Sequence, residues 1–301
     1  MAISRSQLVK ELEPGLNALF GLEYKRYENE HEQIFDKETS DRAFEEEVML
    51  SGFGNAAVKA EGSGVSYDQA QETFTARYTH NTIALAFAIT EEAIEDNLYD
   101  RIASRYTKAL ARSMANTKQV YAANVLNNAF NASYLGGDGV VLCSTSHPTL
   151  AGTFSNTLAT AADLNETSLE QALIDIAAFT DERGLKIAAQ GLKLIIPSAL
   201  QFTADRLMKS AGRVGTSDND INAIKDMGMV PQGYTVNHFL TDSDAFFIKT
   251  DAPNGLKYFE RAPIKTSMEG DFETGNVRYK ARERYSFGWS DPRGIYGTAG
   301  A

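Results

Sequence analysis

Cysteine is almost absent from this sequence, because Cys143 is the only one among 301 residues. A single cysteine cannot form a disulfide within the chain, which favours a reducing compartment. Long apolar runs are missing too, since no stretch of about 18 apolar residues occurs that could span a bilayer. The opening residues, MAISRSQLVKELEPG, lack the apolar segment of a secretion signal. We therefore expect a chain that does not enter a membrane.

Positive charge is also in short supply, with 29 Lys and Arg against 40 Asp and Glu and a formal net charge of −11. Between Met1 and Glu47, 12 acidic residues outnumber 6 basic ones, a local net charge of 6 − 12 = −6. An acidic chain repels phosphate backbones and anionic lipids. The segment VRYKARERY, Val277 to Tyr285, has four alternating bases, and we interpret them as the exposed face of a strand rather than as a DNA contact.

Histidine is scarce, and one of the four lies close to the single cysteine in VVLCSTSHPT. Cys143 and His147 are four positions apart, which in an extended chain is about 13 Å and too far for a hydrogen-bonded nucleophile and base. Pro148 disfavours a helix that would bring them together. We interpret the pair as a small buried thiol and a structural histidine, with an enzyme using Cys143 as a remote alternative.

Motifs for nucleotides and metals are missing or incomplete. SGFGNAA supplies Gly52 and Gly54 in a loose dinucleotide fingerprint, but Gly62 and Gly64 break the chain where the motif requires a helix. The sequence has no pair of histidines with zinc-helix spacing, no C-x-x-C, no Walker-type loop and no G-x-S-x-G. We therefore predict no catalytic residues, no cofactor and no metal, and favour a structural protein.

The regular elements that are present are unusually long. Apolar residues alternate through QETFTARYTHNTIALAFAIT, Gln71 to Thr90, with a change of phase at His80, which predicts strands. Thr90 is a suitable N-cap for a helix that continues to about Phe130, and at 1.5 Å per residue that helix is about 60 Å long. Elements of this length exceed one compact domain, so we expect them to lie on another copy of the chain.

The two ends of the chain have different patterns from the middle. The first 47 residues predict a polar, partly helical arm whose helical spacing is interrupted by Pro14 and Gly15. SLEQALIDIAAFTD predicts an amphipathic helix capped by Ser168, and GLKLIIPSALQFTADRLMKS predicts a strand, a turn at Pro197 and a second helix. These form a compact α/β unit, and the last 45 or so residues predict long strands.

Several segments in a fixed order resemble the major capsid proteins of tailed bacteriophages, especially the Mu-like head-subunit branch. They are DGVVLCSTSHPTLAGTFSNTLATAADLNETSLEQALIDIAAFTDERGLKI, LKLIIPSALQFTADRLMKS and YKARERYSFGWSDPRGIYG. The resemblance extends from about Ala43 to the C-terminus. It implies an α+β fold of the Hong Kong 97 type. By position, it implies an N-terminal arm (residues 1–47), an extended β-hairpin loop with a peripheral strand (48–89), a spine helix with a peripheral domain (90–166), an axial domain (167–250) and C-terminal peripheral strands (251–301).

The function that the resemblance implies is mechanical. Copies of the chain would form pentamers and hexamers of an icosahedral shell around double-stranded DNA. The classes of partner would be a separate scaffolding protein, a portal and cement proteins that decorate the shell. The protein would be part of the virion and assemble in the host cytoplasm. An encapsulin-type nanocompartment shell is the main alternative. The residues expected to contact neighbouring subunits are Phe53, Lys59, Tyr67, Phe74, Tyr78, Arg213 and Asp218.

Overall fold

The computed structural model of the chain describes residues 5–90, 92–93, 99–213, 220–271 and 273–301. Its helices are α1 (Arg5–Tyr24), α2 (Tyr99–Asn127), α3 (Glu166–Ala177), α4 (Gln201–Lys209) and α5 (Ala223–Asp226). Its strands are β1 (Asp36–Thr39), β2 (Phe44–Leu50), β3 (Glu72–Thr79), β4 (Asn81–Ile89), β5 (His147–Thr149), β6 (Gly152–Phe154), β7 (Gly191–Ile196), β8 (Tyr234–Val236), β9 (Phe246–Thr250), β10 (Leu256–Gly270), β11 (Val277–Trp289) and β12 (Ile295–Thr298).

The longest strands form a first sheet with the order β1-β10-β11-β4. β11 alternates buried and exposed residues, because one of its faces packs on helices and the other faces solvent. On the packed face, Tyr279 and Ala281 share a core with Leu110 and Met114 of α2 and with Phe20 of α1. The predicted alternation of VRYKARERY is therefore confirmed, and its bases lie on the solvent face.

The long helix is present, and it ends about three residues earlier than predicted. α2 has 29 residues, about 44 Å at 1.5 Å per residue, and ends at Asn127 rather than at Phe130. The Ala93 amide donates to Thr90 Oγ1 (3.4 Å), as expected for a capping threonine. Residues 91 and 94–98, which include part of the predicted apolar stripe, lie outside the described ranges.

The N-terminal segment differs from the predicted interrupted arm. α1 continues through Pro14 and Gly15 for 20 residues. Leu16 and Phe20 are buried against α2 and β10–β11, and this packing outweighs the local preference of proline and glycine for breaking a helix. β1 then joins the first sheet parallel to β10, so both α1, through Leu16 and Phe20, and β1 contact their own chain.

A second sheet, with the order β12-β9-β7-β8, forms a separate α/β core with α3 and α4. Asn165, not Ser168, is the N-cap of α3; its side chain accepts from the Ser168 amide (2.8 Å), and Ser168 Oγ accepts from the Asn165 amide (3.0 Å). β7 ends at Ile196 immediately before Pro197, as predicted. β12 returns from the C-terminal end of the chain to pair with β9, although the sequence predicted only the first-sheet strands there.

The predicted change of phase at His80 separates two sheets. β3 ends at Thr79 and pairs with β2 in a two-stranded hairpin, whereas β4 begins at Asn81 and pairs with β11. His80 is buried between the two, with Nδ1 2.9 Å from Ser286 Oγ and Nε2 3.0 Å from Ser40 Oγ. The hairpin is thus fixed at one end of the first sheet.

Candidate intersubunit surface

The hairpin ends in a long loop, residues 52–70, that has no helix or strand and is almost wholly exposed. Apolar side chains are displayed on it rather than buried: Val58 is fully exposed and Tyr67 is 95% exposed, and Phe53 and Val65 are also exposed. Several exposed apolar side chains close together on one surface usually mark a site of interaction with another molecule. The loop is therefore the strongest candidate for a surface that another molecule covers.

The base of this loop is held in place. The Ser51 amide donates to the Gln71 carbonyl (2.9 Å), and the Gly54 amide donates to Asp68 Oδ2 (2.7 Å). Arg183, in the turn after α3, donates from Nη2 to Asp68 Oδ1 (3.0 Å) and to the Gln69 carbonyl (2.8 Å). The backbone hydrogen bonds from Gly54 and Gln69, followed by Arg183, lower the pKa of Asp68. The loop thus leaves the body of the protein in a set direction.

The predicted contact residues do not all lie on the exposed loop. Phe53, Lys59 and Tyr67 are exposed, and Phe74 is half-buried on β3. Tyr78 is buried: its ring packs edge-on against Phe259 with centroids 4.8 Å apart, and its hydroxyl is 2.5 Å from Ser290 Oγ. Tyr78 therefore anchors the hairpin to its own sheet and is not available to a neighbouring subunit.

The second predicted contact region lies between α4 and α5. Arg213 is exposed, and its Nε donates to Glu166 Oε2 on α3 (2.8 Å). This ion pair raises the pKa of the guanidinium and commits it to its own chain. Asp218 falls in residues 214–219, outside the described ranges.

Sequence reasoning missed three large apolar side chains near this second region. Phe202 on α4 is 77% exposed, and Ile221 and Met227, on either side of α5, are 70% exposed. Helical spacing could have identified Phe202, because Ala204 and Leu207 are the buried residues of α4 and Phe202 lies on a different face. The α/β unit of the second sheet therefore has its own exposed apolar surface.

The Cys143 and His147 pair is structural. Cys143 is buried, and burial raises the pKa of its thiol, which disfavours the thiolate that a nucleophile requires. His147 uses both ring nitrogens elsewhere: Nδ1 is 2.6 Å from Asp138 Oδ2 and Nε2 is 3.1 Å from Asn156 Oδ1. The histidine therefore has no nitrogen left to act on the thiol.

Asn156 holds the segment around Cys143 and His147 in place. Its Nδ2 donates to the carbonyls of Leu142 (2.7 Å), Pro292 (2.9 Å) and Ile295 (3.2 Å). These bonds join the segment that contains Cys143 to the turn at residues 292–295 near the C-terminal end. Asp138 and Asn156 were not identified from the sequence, because their partners are distant along the chain. Within the described ranges, no three His, Cys, Asp or Glu side chains converge as a metal site requires.

A family model described as phage capsid protein matches residues 72–298, three quarters of the chain. The chain belongs to this phage capsid protein family. No curated protein sequence matches the capsid protein.

Solved capsid structures share the fold at low sequence identity. The capsid of an empty GTA particle is 16% identical, with 92% of this chain and 91% of that chain covered and a TM-score of 0.54. The procapsid of bacteriophage JBD30 is 14% identical over 98% and 76% of the two chains (TM-score 0.55). A virus-like particle from Pyrococcus furiosus is 11% identical over 94% and 97% (TM-score 0.51). The predicted α+β fold of the Hong Kong 97 type is confirmed.

The capsid protein braces its first sheet with a buried ion pair. Lys118 Nζ of α2 lies 2.6 Å from Glu283 Oε2 of β11, and the Tyr24 hydroxyl of α1 donates to the same oxygen (3.2 Å). Burial raises the pKa of Glu283, while Lys118 and Tyr24 lower it. The three groups join α1, α2 and β11 away from water, and removing Lys118 or Glu283 would leave the other buried charge unpaired. Among the described helices of the capsid protein, none combines the length and hydropathy needed to cross a bilayer.

Proposed function

We propose that this capsid protein assembles as pentamers and hexamers into an icosahedral shell that encloses double-stranded DNA. The family match supports a phage head, and it favours this function over an encapsulin-type nanocompartment. The observation that carries the proposal is the exposed apolar loop on a fixed base, which a single chain leaves in water. The buried Cys143 and the occupied nitrogens of His147 argue against the enzyme alternative.

In this proposal, each part of the chain has the structural role that the resemblance implies for its position. Residues 48–89 supply the extended loop and a peripheral strand, residues 90–166 the spine helix and peripheral domain, residues 167–250 the axial domain and residues 251–301 the peripheral strands. We add β12 to the axial unit, because it pairs with β9. Within the arm, residues 1–47, α1 and β1 contact their own subunit.

The loop residues that contact a neighbouring subunit are Phe53, Tyr67 and, at the loop apex, Lys59. Phe74 is half-buried and contributes at the margin, and Tyr78 holds the hairpin at the angle from which the loop reaches out. Arg213 and Asp218 belong to the axial region, where Phe202, Ile221 and Met227 supply the apolar area for contacts around the capsomer axis.

The net charge of −11 suits a wall that must contain DNA without binding its sequence. A separate scaffolding protein and a portal guide assembly in this proposal, which takes place in the host cytoplasm, and the protein ends in the virion. Cement proteins on the outside of the shell remain a further class of partner for the same surfaces.

Removing residues 53–69 and closing the gap with a short Gly-Ser turn tests the proposal. Because the loop contacts its own chain mainly at its base, we expect the variant to keep the circular dichroism spectrum and the cooperative unfolding of the wild type. We expect shells to be absent in negative-stain images and in light-scattering mass. A substitution at an exposed polar position of the same loop, Glu61→Gln, serves as the control and should assemble. Intact shells from the deletion variant would contradict the proposed role of the loop.

A further inference from the structure

The first sheet has one long edge that nothing in the described part of the chain covers. β4 is the last strand of the order β1-β10-β11-β4, and no strand pairs with its outer side in the described ranges. Its nine residues, NTIALAFAI, include no charge, no proline and no glycine, and most of them are exposed. Soluble proteins usually protect such an edge with charge, proline or short length, because it is a template for pairing with another strand.

The solvent face beside this edge is flat and basic. Ala84, Ala86 and Ala88 of β4 are exposed, and they lie directly opposite Arg282, Lys280 and Arg278 of β11. Arg278 pairs with Asp271, whereas Lys280 and Arg282 have no ion pair with any described residue. Since residues directly opposite share one face, the alanines leave room for these two long side chains to extend over β4. A strand added to the edge would therefore meet the positive charge of Lys280 and Arg282.

The chain has a second open edge of similar length, with the opposite charge. β2, seven residues long, pairs with β3 on one side, and no strand covers its other side in the ranges that the structure describes. Its exposed face presents Phe44, Glu46, Val48 and Leu50. Glu46 is the acidic residue of this face, with its Oε1 3.7 Å from Arg77 Nε of β3, whereas Glu45 and Glu47 lie on the other face, where Glu47 pairs with Lys257.

β3 does not offer an equivalent edge. Gly137 lies so close to β3 that a Cβ added there would come within 2.5 Å of the Thr75 carbonyl oxygen. The turn that contains Gly136 and Gly137 therefore already occupies the space beside the β3 backbone. Of the two hairpin strands, β2 is the one with room for a partner.

The two open edges cannot meet within one subunit. β4 pairs with residues 277–285 of β11, from Ile89 to Asn81. Tyr78 holds the hairpin near Gly288 and Ser290, which follow the last paired residues of β11. β3 and β4 are also separated by a single residue, His80, so the hairpin has no slack with which to fold back. Pairing of the two edges therefore requires two copies of the chain.

We propose that the open edge of β4 receives the β2 strand of a second copy, which extends the first sheet across the subunit boundary. Main-chain hydrogen bonds hold the two strands together, and Lys280 and Arg282 attract the exposed Glu46 of β2 over the alanine row. This inference rests on the proposed shell function, and it adds the surface on which a neighbour's hairpin lies.

Thiol cross-linking tests the pairing directly, because Cys143 is buried and introduced cysteines are the accessible ones. Ala86→Cys on β4 and Val48→Cys on β2 are placed in separate subunits, which are co-assembled into empty, nuclease-treated shells and treated with a short bis-maleimide. We expect a dimer band on denaturing gels that is at least tenfold stronger than in the control, in which Gln171→Cys on the exposed side of α3 replaces Val48→Cys.

Other outcomes separate the rival occupants. Shells that form without the Ala86–Val48 cross-link would overturn the pairing and leave the shell function intact, whereas failure of the wild-type chain to form any shell would count against the function itself. A dimer from Ala86→Cys alone would assign the edge to a second β4 instead.

Hydrogen exchange on the wild-type chain provides an independent readout if the cysteine variants assemble poorly. We expect the amides of residues 44–50 and 81–89 to exchange at least tenfold more slowly in empty shells than in unassembled subunits. Unchanged exchange in both segments would contradict the proposal. Protection of residues 81–89 that occurs only in DNA-filled shells would assign the basic face to nucleic acid and would also contradict it.

Discussion

Asn156 joins three segments of the chain through one side chain, and it shows how much a single buried polar residue can decide. It is fully buried, its Nδ2 reaches three carbonyls, and its Oδ1 accepts from the Ser144 amide (2.8 Å). The role of Cys143 as a buried, unreactive thiol follows from the sequence, because Pro148 disfavours the helix that would bring His147 to the thiol. The partners of His147 do not follow from the sequence, since Asn156 is recognisable only when the distant C-terminal turn is in place.

A second buried histidine predicts a dependence of stability on pH. His31 is buried edge-on to Tyr258 and Phe287, with ring centroids 5.4 and 5.6 Å away, and burial lowers its pKa to about 4. Lys118 and Lys37 also lower this pKa, while Gln119 and Glu32 raise it. Between about pH 4 and the ordinary value of about 6.5, the unfolded chain binds more protons, so the contribution of His31 to stability is lost as the pH falls through this window.

Replacing His31 with phenylalanine should remove that loss. As the pH falls from 7 to 4, we expect the unfolding free energy of the wild type to drop by up to about 3 kcal/mol more than that of His31→Phe. Guanidinium denaturation of unassembled subunits at several pH values measures the difference. Parallel pH profiles for the two proteins would show that burial of His31 does not penalise its protonation.

Among the elements, α1 is the one that local preference describes least well. Pro14 has no amide hydrogen to donate within the helix, yet α1 continues through it because Leu16 and Phe20 are buried on α2 and the first sheet. We therefore expect Pro14→Ala to raise the unfolding free energy by about 1–3 kcal/mol, since it restores a hydrogen-bond donor and removes a steric clash. Thermal unfolding measures the gain, and a destabilised variant would mean that the proline is required where it stands.

The elements that could be predicted are those whose pattern is set by one buried face. The alternation of β11 and the break at His80 are of this kind, because β11 packs one face on helices and β3 packs one face on Phe259 of the first sheet. Tyr78 was predicted to contact a neighbouring subunit but is buried in its own chain. Alternation shows that Tyr78 shares a face of the strand with Phe74 and Ala76, but it does not show which chain covers that face. The return of β12 to the second sheet was missed because pairing between distant strands leaves no local pattern.

At the scale of the whole molecule, parts of the chain extend beyond what one subunit can cover. Apolar side chains are exposed on the loop at residues 52–70 and at Phe202 of α4. Backbone hydrogen-bonding groups are exposed at the open edges of β2 and β4. The length of the strands and of α2 predicted this from the sequence, because such elements exceed one compact core. The identity of the covering surface required the structure, since only the sheet order shows which edges are open.

The most direct test of the account is the mass of the purified chain by light scattering after size exclusion, with negative-stain images of the same fractions. We expect closed shells or rings of five and six subunits, from the chain alone or from the chain produced together with the proposed scaffolding protein. A monomer that stays compact under both conditions would contradict the account, because the exposed loop and strand edges would then have no partner of their own kind.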